Sequence, residues 1–214
     1  MKPLSFLVPP ALAAAALLAT AHAAPAYRTL RDSPAGLYRI DPDHSLVQFT
    51  IGHVGIVPVT GVFRRIHGTY HFDPGHPERD RATVVIPVRS LDTFVPVRDK
   101  DLLGPKFFDA ARYPQIRFVS TSYRPTGPGR GRLRGRLTLH GITHPVVFDV
   151  RRIGAGPVRW LPKPWGGYLS GYVATTTIDR LRYGLTAYPA ALSHDVRIRV
   201  AIEGVRMDRE SRRP

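Results

Sequence analysis

Hydrophobic and polar residues alternate along most of the chain beyond its first forty residues. Val47, Phe49 and Ile51 would share one face of an extended strand, with Gln48 and Thr50 on the other face. Because successive side chains of a strand point to opposite sides, this period of two predicts strands with one buried face. The same period recurs in seven further segments, so the chain is predicted to be all-β.

Eight strands are predicted, separated by turns rich in glycine, proline and aspartate. An open sheet of that many strands would expose its edges, so closure into a barrel or folding into a sandwich is the stable outcome. Residues 98–111 interrupt the alternation and are predicted to form one or two short helical segments that cap a barrel end. The predicted strands cover residues 45–51, 59–72, 81–89, 115–123, 132–140, 144–152, 167–178 and 194–205.

The N-terminus has the charge and hydrophobicity order of a secretory signal. Lys2 precedes the apolar run ALAAAALLA, and the small residues Ala21 and Ala23 follow it. These features predict a cleaved signal peptide and an exported, periplasmic protein, with an uncleaved anchor as the alternative. The predicted organisation is a signal peptide at 1–23, an N-terminal extension at 24–36, one domain at 37–206 and a flexible basic tail at 207–214.

The chain contains no cysteine and carries a formal net charge of +15. Without disulfides, an exported domain of this length depends on its hydrophobic core for stability. The positive charge comes almost wholly from arginine, which favours phosphate and carboxylate partners but selects none of them by itself. Nucleic acid is not predicted as a partner, because no aromatic residues are interleaved with the basic ones to stack bases.

Two histidines, His140 and His144, flank a glycine between two alternating segments. Gly141 supplies the positive φ that a tight turn needs, so a β-hairpin is predicted here. Two histidines offer too few ligands for a catalytic metal, and no metal site is predicted. No catalytic residues are predicted either, because the chain lacks cysteine and a GxSxG serine motif. A hydrolase or isomerase built around His44, His53 or His140 is the less favoured alternative.

The apolar faces of the predicted strands would project into one volume. In an eight-stranded barrel this volume either fills with side chains or holds one small ligand, and periodicity alone does not separate the two outcomes. We predict an apolar ligand-binding cavity, with two phenylalanines of the helical segment near its mouth. The predicted lining residues are Phe49, Ile51, Phe63, Ile86, Phe107, Phe108, Phe118, Leu137, Leu139, Val146 and Phe148.

Five ordered motifs cover most of the chain. They are IDPDHSLVQFTIGHVGIVPVTGVF (40–63), GTYHFDP (68–74), VRDKDLLGPKFFDAARYPQIRFVS (97–120), LTLHGITHPVVFDV (137–150) and IDRLRYGL (178–185). Together they resemble the YceI-like family of exported polyisoprenoid-binding proteins. The resemblance implies an eight-stranded antiparallel lipocalin-like barrel whose cavity binds the isoprenoid chain of a quinone or polyprenyl phosphate, without catalysis or a cofactor. Similar proteins often carry lysine at the position of His144, which an obligatory metal ligand would not allow.

A loop rich in glycine and proline at 154–167 holds both tryptophans of the chain. Aromatic and cationic side chains prefer the interface of an anionic membrane, so transient membrane contact is predicted for this loop, with ordinary packing as the alternative. The predicted contact residues are Arg159, Trp160, Lys163 and Trp165. An isoprenoid lipid is the predicted main partner, and a second copy of the chain, forming a homodimer, is a further candidate. An envelope stress or interaction protein with a filled barrel is the main alternative function.

Overall fold

The computed structural model describes residues 33–207. The predicted signal peptide, most of the N-terminal extension and residues 208–214 of the predicted tail lie outside them. Within the described residues, eleven strands form one antiparallel sheet, and no helix is long and apolar enough to span a bilayer. The elements are β1 (Gly36–Ile40), β2 (Leu46–His53), β3 (Val57–Phe63), β4 (His67–Phe72), β5 (Arg81–Pro87), β6 (Leu91–Asp92), α1 (Pro96–Leu103), β7 (Gln115–Gly127), β8 (Arg130–Leu139), β9 (Ile142–Val158), β10 (Gly167–Asp179) and β11 (Leu192–Arg206).

The sheet is an up-and-down barrel of eight bent strands. Because β2 pairs with β3 and β1 pairs with β4, β1 and β2 are successive halves of one long strand, and β3 and β4 are halves of the next. By the same pairing β5 and β6 form a third bent strand. The last strand, β11, pairs with β10 on one side and with both β1 and β2 on the other, which closes the sheet. The predicted eight-stranded antiparallel barrel is confirmed.

The break between β1 and β2 lies where β11 changes partner. The backbone N–H of Asp41 donates to the carbonyl oxygen of Glu203 at 2.9 Å. The Ser45 hydroxyl oxygen accepts the backbone N–H of Glu203 at 3.0 Å, so a side chain replaces the missing ladder bond. Both backbone groups of Glu203 are therefore satisfied while the neighbouring strand bends around it.

Aromatic side chains fill one end of the barrel, which we call the closed end. The rings of Tyr38 and Tyr70 stack with their centroids 5.6 Å apart, and Tyr172 meets Tyr70 edge-on at 5.5 Å. A Cβ atom on Gly204 would come within 2.3 Å of the Tyr70 hydroxyl oxygen, so glycine leaves room for this ring. Tyr38, Tyr70 and the neighbouring Phe72 are buried. Sequence periodicity did not predict this aromatic cluster.

Chain direction places successive connections at opposite ends of the barrel. The β2–β3 turn, the α1 segment, the β8–β9 turn and the β10–β11 loop share one end, which we call the mouth. The β4–β5, β7–β8 and β9–β10 connections share the closed end. The mouth therefore contains the only α-helix of the described residues, and the closed end contains the two-tryptophan loop.

The α1 segment lies at the mouth and accounts for the break in the alternating pattern. The helix begins at Pro96, and proline suits a first helical position because its missing N–H has no partner there in any case. Beyond the helix, the Phe108 N–H donates to the Leu102 carbonyl and the Ala110 N–H to the Leu103 carbonyl, each at 3.0 Å. The predicted short helical segment is confirmed, and it begins two residues before the predicted start.

Candidate functional site

The barrel encloses an apolar cavity of about 1040 Å³. Ligand pockets of proteins usually measure roughly 300–1,000 Å³, so this volume lies just above that range. The wall is built by β2, β3, β5, β7, β8, β9, β10 and β11, together with the α1 segment and the β10–β11 loop. The protein's own side chains therefore leave the interior open rather than filling it.

Alternation along each strand makes the deep wall apolar. On β11, Val196, Ile198 and Val200 face the cavity, while Arg197 and Arg199 between them are exposed on the outside. The same two-residue period brings hydrophobic side chains inward from the other strands. An elongated hydrocarbon chain would meet only apolar groups in this deep part of the cavity.

Ten of the eleven predicted lining residues lie on the cavity wall. The exception is Val146, which is buried in the packed core and does not line the cavity. Val146 pairs with Gly135, and the ring of Phe118 lies so close over Gly135 that a Cβ atom there would be 2.4 Å from it. The aromatic ring therefore forms the wall at this level. Whether the ten residues contact a ligand stays a prediction.

Several wall residues were not among the predicted ones. The strand residues among them follow the same alternation and could have been found from it. Arg180, Leu185 and Tyr188 belong to the β10–β11 connection, which is not a strand, so the alternating pattern does not predict which of its side chains point into the cavity. The additional strand residues on the wall include Val47, Val59, Val84, Ile116, Ala174, Ile178, Val196, Ile198, Val200 and Ile202.

The polar side chains of the wall lie at the mouth. Arg98 is fixed there, because its Nε donates to the Thr93 hydroxyl at 2.8 Å and its guanidinium also donates to the Thr93 carbonyl at 2.7 Å. Lys100 and Lys106 are exposed beside it, and Asp101 is the acidic residue of this wall. The cavity thus combines an apolar interior with an opening that carries more positive than negative charge.

Arg180 is a buried cation that orders the β10–β11 loop. Its guanidinium donates to the carbonyl oxygens of Leu185 and Ala187 and to those of Leu192 and Ser193. Burial lowers the pKa of Arg180 from its ordinary value, but an arginine stays charged under physiological conditions. Because four backbone carbonyls accept most of the hydrogen bonds that Arg180 can donate, we assign Arg180 a role in stabilising the loop and not in binding a ligand.

The two histidines of the β8–β9 corner do not share a site. His140 and Gly141 both have positive φ, 51° and 75°, as a two-residue hairpin turn requires. The Nδ1 atom of His140 lies 3.2 Å from the Tyr183 carbonyl oxygen, and the Nε2 atom of His144 lies 2.9 Å from the Arg182 carbonyl oxygen. Each histidine therefore contacts a separate carbonyl of the turn that follows β10, and the predicted hairpin is present.

Asp41, His44 and Glu203 bring three potential metal-binding atoms within 4.8 Å of one another. The His44 Nδ1 atom is hydrogen-bonded to Asp41 Oδ2 at 2.9 Å, and this hydrogen bond raises the pKa of His44. The three residues surround the break between β1 and β2, so they are accounted for as a strand-end hydrogen-bond cluster. His53 pairs with Leu192 at the opposite end of β11, so His44 and His53 lie too far apart for one catalytic centre.

The loop with both tryptophans lies at the closed end, away from the mouth. Trp160 is 73% exposed, and the Trp165 indole N–H donates to Asp43 Oδ2 at 3.4 Å. Arg159 and Lys163 belong to the same β9–β10 connection. Membrane contact by these four residues stays a prediction, and their position separates that contact from the cavity opening.

A closed eight-stranded antiparallel barrel with an apolar interior open at one end defines a small lipocalin-like barrel protein. The pattern of the YceI-like domain matches residues 38–204, and the chain belongs to this family. The chain is 36% identical over 176 residues to a UPF0312 protein of Pseudomonas fluorescens, covering 79% of this chain and 86% of that protein.

Two solved structures share the fold. BcnA of Burkholderia cenocepacia superposes with a TM-score of 0.67 at 23% identity, covering 77% of this chain and 98% of BcnA. A polyisoprenoid-binding domain from Saccharophagus degradans superposes with a TM-score of 0.55 at 15% identity, covering 79% of this chain and 98% of that domain. At these identities the two structures support the barrel architecture and leave the ligand of this chain open.

Proposed function

We propose that the cavity holds the isoprenoid chain of an amphipathic lipid and that the protein binds this lipid without catalysis. The observation that carries the proposal is the separation of polarity along the wall. Side chains deep in the barrel are apolar, whereas Arg98, Lys100, Asp101 and Lys106 lie at the mouth. The Saccharophagus degradans barrel of the same fold is described as a polyisoprenoid-binding domain, which supports the same class of ligand here.

The hydrocarbon chain supplies most of the binding energy. Burying about ten methylene groups contributes on the order of 8 kcal/mol before the cost of ordering the chain is subtracted. A charge-assisted hydrogen bond from a lysine or arginine to the headgroup adds roughly 1.5–3 kcal/mol. Affinity should therefore depend chiefly on chain length, and the headgroup should act as a second determinant.

The charges at the mouth favour an anionic headgroup over a neutral quinone ring. Arg98 is already held by Thr93, so the exposed Lys100 and Lys106 are the cations with freedom to reach a phosphate. Asp101 is the neighbouring acidic group of the wall. A polyprenyl phosphate is accordingly the preferred ligand, and a quinone with the same chain is the weaker one.

An exported carrier would solve a solubility problem, because a polyprenyl chain does not dissolve in the aqueous space outside the inner membrane. The predicted signal peptide supports such a location. Transport, storage and protection of the lipid all require the same apolar container. The periplasm is accordingly the proposed compartment.

Titration with radiolabelled prenyl phosphates of increasing chain length tests the proposal. We expect affinity to rise with each added isoprene unit until the chain outgrows the cavity. Ala174→Phe should weaken binding, because Ala174 lies on the wall and a phenyl ring there would occupy the cavity. Thr175→Phe, on the exposed side of the same strand, is the matched control and should bind normally. The proposal would be rejected if the affinity changed neither with chain length nor with the Ala174→Phe substitution.

A further inference from the structure

Exposed hydrophobic side chains surround the mouth of the cavity. Ile56 at the β2–β3 turn is 84% exposed, Phe94 before α1 is 65% exposed and Val97 in α1 is 70% exposed. Tyr188 in the β10–β11 loop is exposed as well. We define the mouth rim as Val54, Ile56, Val57, Phe94, Val95, Val97 and Tyr188. We propose that the mouth rim docks the barrel end-on against an anionic phospholipid bilayer.

The mouth rim is one continuous surface although its residues come from three connections. The backbone N–H of Val54 donates to the Ala191 carbonyl at 2.6 Å, which joins the β2–β3 turn to the β10–β11 loop. The rings of Phe107 and Tyr188 contact each other with centroids 5.9 Å apart, which joins the α1 segment to the same loop. Val97 and Tyr188 also line the cavity, so the rim continues directly into the apolar interior.

Three of these exposed hydrophobic residues have a strained backbone conformation. Val54, Phe94 and Tyr188 have φ values of 47°, 66° and 48°, in the left-handed region that non-glycine residues rarely adopt. This conformation is unfavourable for a residue with a β-carbon, and strain of this kind is concentrated at functional sites. A chain selected only for stability would place glycine or asparagine at these exposed positions. The strain therefore supports a function for hydrophobic side chains at the mouth rim.

The charge around the mouth rim suits an anionic bilayer. Lys100 and Lys106 are exposed next to it, and cations beside exposed aromatic and aliphatic groups are typical of a membrane interface. Asp101 lies on the same wall, while Asp99 is occupied in accepting hydrogen bonds from Thr93. The overall net charge of +15 would attract the whole protein to an anionic surface.

Two other surfaces of the protein are alternative candidates for binding an anionic bilayer. The first is the two-tryptophan loop at the closed end. The second is the exposed arginine row of β8 on the side of the barrel, formed by Arg130, Arg132, Arg134 and Arg136. Neither surface adjoins the cavity opening, whereas docking through the mouth rim would let a lipid pass between bilayer and cavity without crossing water. The geometry therefore favours the rim.

This inference deepens the proposed function by naming the source of the lipid, and the two can fail separately. Vesicles of phosphatidylethanolamine and phosphatidylglycerol contain no isoprenoid, so binding to them does not depend on the cavity ligand. Ala174→Phe should bind these vesicles like the wild type. If the protein binds vesicles through the mouth rim but binds no isoprenoid, the proposed function is refuted and the docking inference still holds.

Vesicle flotation with matched variants tests the mouth rim. We expect Ile56→Ser/Val97→Ser to lower partitioning onto the vesicles by roughly tenfold or more, because each exposed side chain would otherwise be buried in the interface. Trp160→Ala/Trp165→Ala and Arg132→Ser/Arg134→Ser are the controls for the competing surfaces and should bind normally. Unchanged binding of the rim variant, or loss of binding in either control, would overturn the proposal.

Tryptophan fluorescence gives an independent measurement, because the chain contains only two tryptophans and both lie at the closed end. Brominated phospholipids quench tryptophans that touch the bilayer. The rim orientation predicts no quenching of vesicle-bound wild-type protein. It predicts strong quenching after Ile56→Trp in a Trp160→Phe/Trp165→Phe background. Quenching of the native tryptophans would overturn the proposed orientation.

Discussion

The Tyr70 hydroxyl on β4 donates to the Ser170 carbonyl on β10 at 2.8 Å, across the closed end of the barrel. It also lies 2.6 Å from the Ser170 hydroxyl oxygen. Strands β4 and β10 are not neighbours in the sheet, so this contact joins opposite walls. Both residues are buried, and burial raises the pKa of Tyr70 above its ordinary value. This hydrogen bond therefore joins two strands across the aromatic cluster at the closed end, opposite the open mouth.

Tyr70→Phe should destabilise the barrel by about 1–3 kcal/mol, because the Ser170 carbonyl and hydroxyl would each lose a buried hydrogen bond with Tyr70. Ser170→Ala should cost less, since Tyr70 could still donate to the carbonyl. Urea unfolding of both single variants and the double variant would measure the coupling between them. Additive effects in this cycle would show that the two hydroxyl groups are not coupled. A Tyr70→Phe variant as stable as the wild type would show that the contact does not hold the two walls together.

Arg180→Met should loosen the β10–β11 loop, because four backbone carbonyls would lose their donor. We expect a loss of about 3 kcal/mol or more in the free energy of unfolding. Hydrogen exchange should rise in residues 185–192. Arg182→Met is a suitable control, since Arg182 belongs to the same turn but does not donate to these carbonyls. A folded Arg180→Met variant with an unchanged loop would contradict the role assigned to Arg180.

Asp80 should make stability depend on pH. Burial raises the pKa of Asp80 to about 7, even though the Asp73 N–H donates to its carboxylate at 2.8 Å. The folded protein thus holds this proton more tightly than the unfolded chain does, so the free energy of unfolding falls as pH rises from about 4 to about 7. Asp80→Asn keeps the acceptor oxygen and removes the charge.

We therefore expect the Tm of Asp80→Asn to exceed that of the wild type at pH 8 and to match it at pH 4. Circular dichroism melting curves at the two pH values provide the measurement. Asp149→Asn is the control, because the Asp149 side chain is exposed and should show no such difference. An equal gain at both pH values would exclude the ionisation of Asp80 as the cause.

Lys100→Gln/Lys106→Gln should weaken the binding of a polyprenyl phosphate by roughly tenfold, because a charge-assisted contact to the phosphate is lost. The affinity for an uncharged polyprenol of equal length should not change. Competition between the polyprenyl phosphate and the polyprenol, measured on the wild type and on the double variant, would give the change in affinity for each ligand. Arg132→Gln on the outer wall serves as the control. Equal losses for the two ligands would mean that the lysines do not recognise the headgroup.

The alternating pattern predicted a closed all-β domain, either a barrel or a sandwich, and the family resemblance then indicated the barrel. The pattern also placed the predicted strand residues on the cavity wall, with the exception of Val146. Val196, Ile198 and Val200 illustrate why, since the facing of a strand residue follows from its position in a period of two. The short strand β1 was missed, because its five residues carry too little alternation to distinguish a strand from a loop.

Other features depend on closure of the barrel, which no local pattern encodes. The stack of Tyr38 on Tyr70 brings together side chains from β1 and β4, and Ser170 reaches it from the opposite wall. Val146 points to the same side of its strand as Phe148, but the ring of Phe118 over the paired Gly135 forms the wall there, so Val146 does not reach the cavity. The strain at Val54 and Phe94 likewise appears only in the folded backbone.

The central claim is that the cavity binds an isoprenoid chain. The lipid content of the purified protein tests this claim most directly. Mass spectrometry of an organic extract from the full-length protein, expressed in bacteria, should reveal close to one isoprenoid lipid per chain. Ala174→Phe should carry far less while Thr175→Phe carries the normal amount. An extract of the wild-type protein without isoprenoid, or equal amounts from all three proteins, would contradict the account.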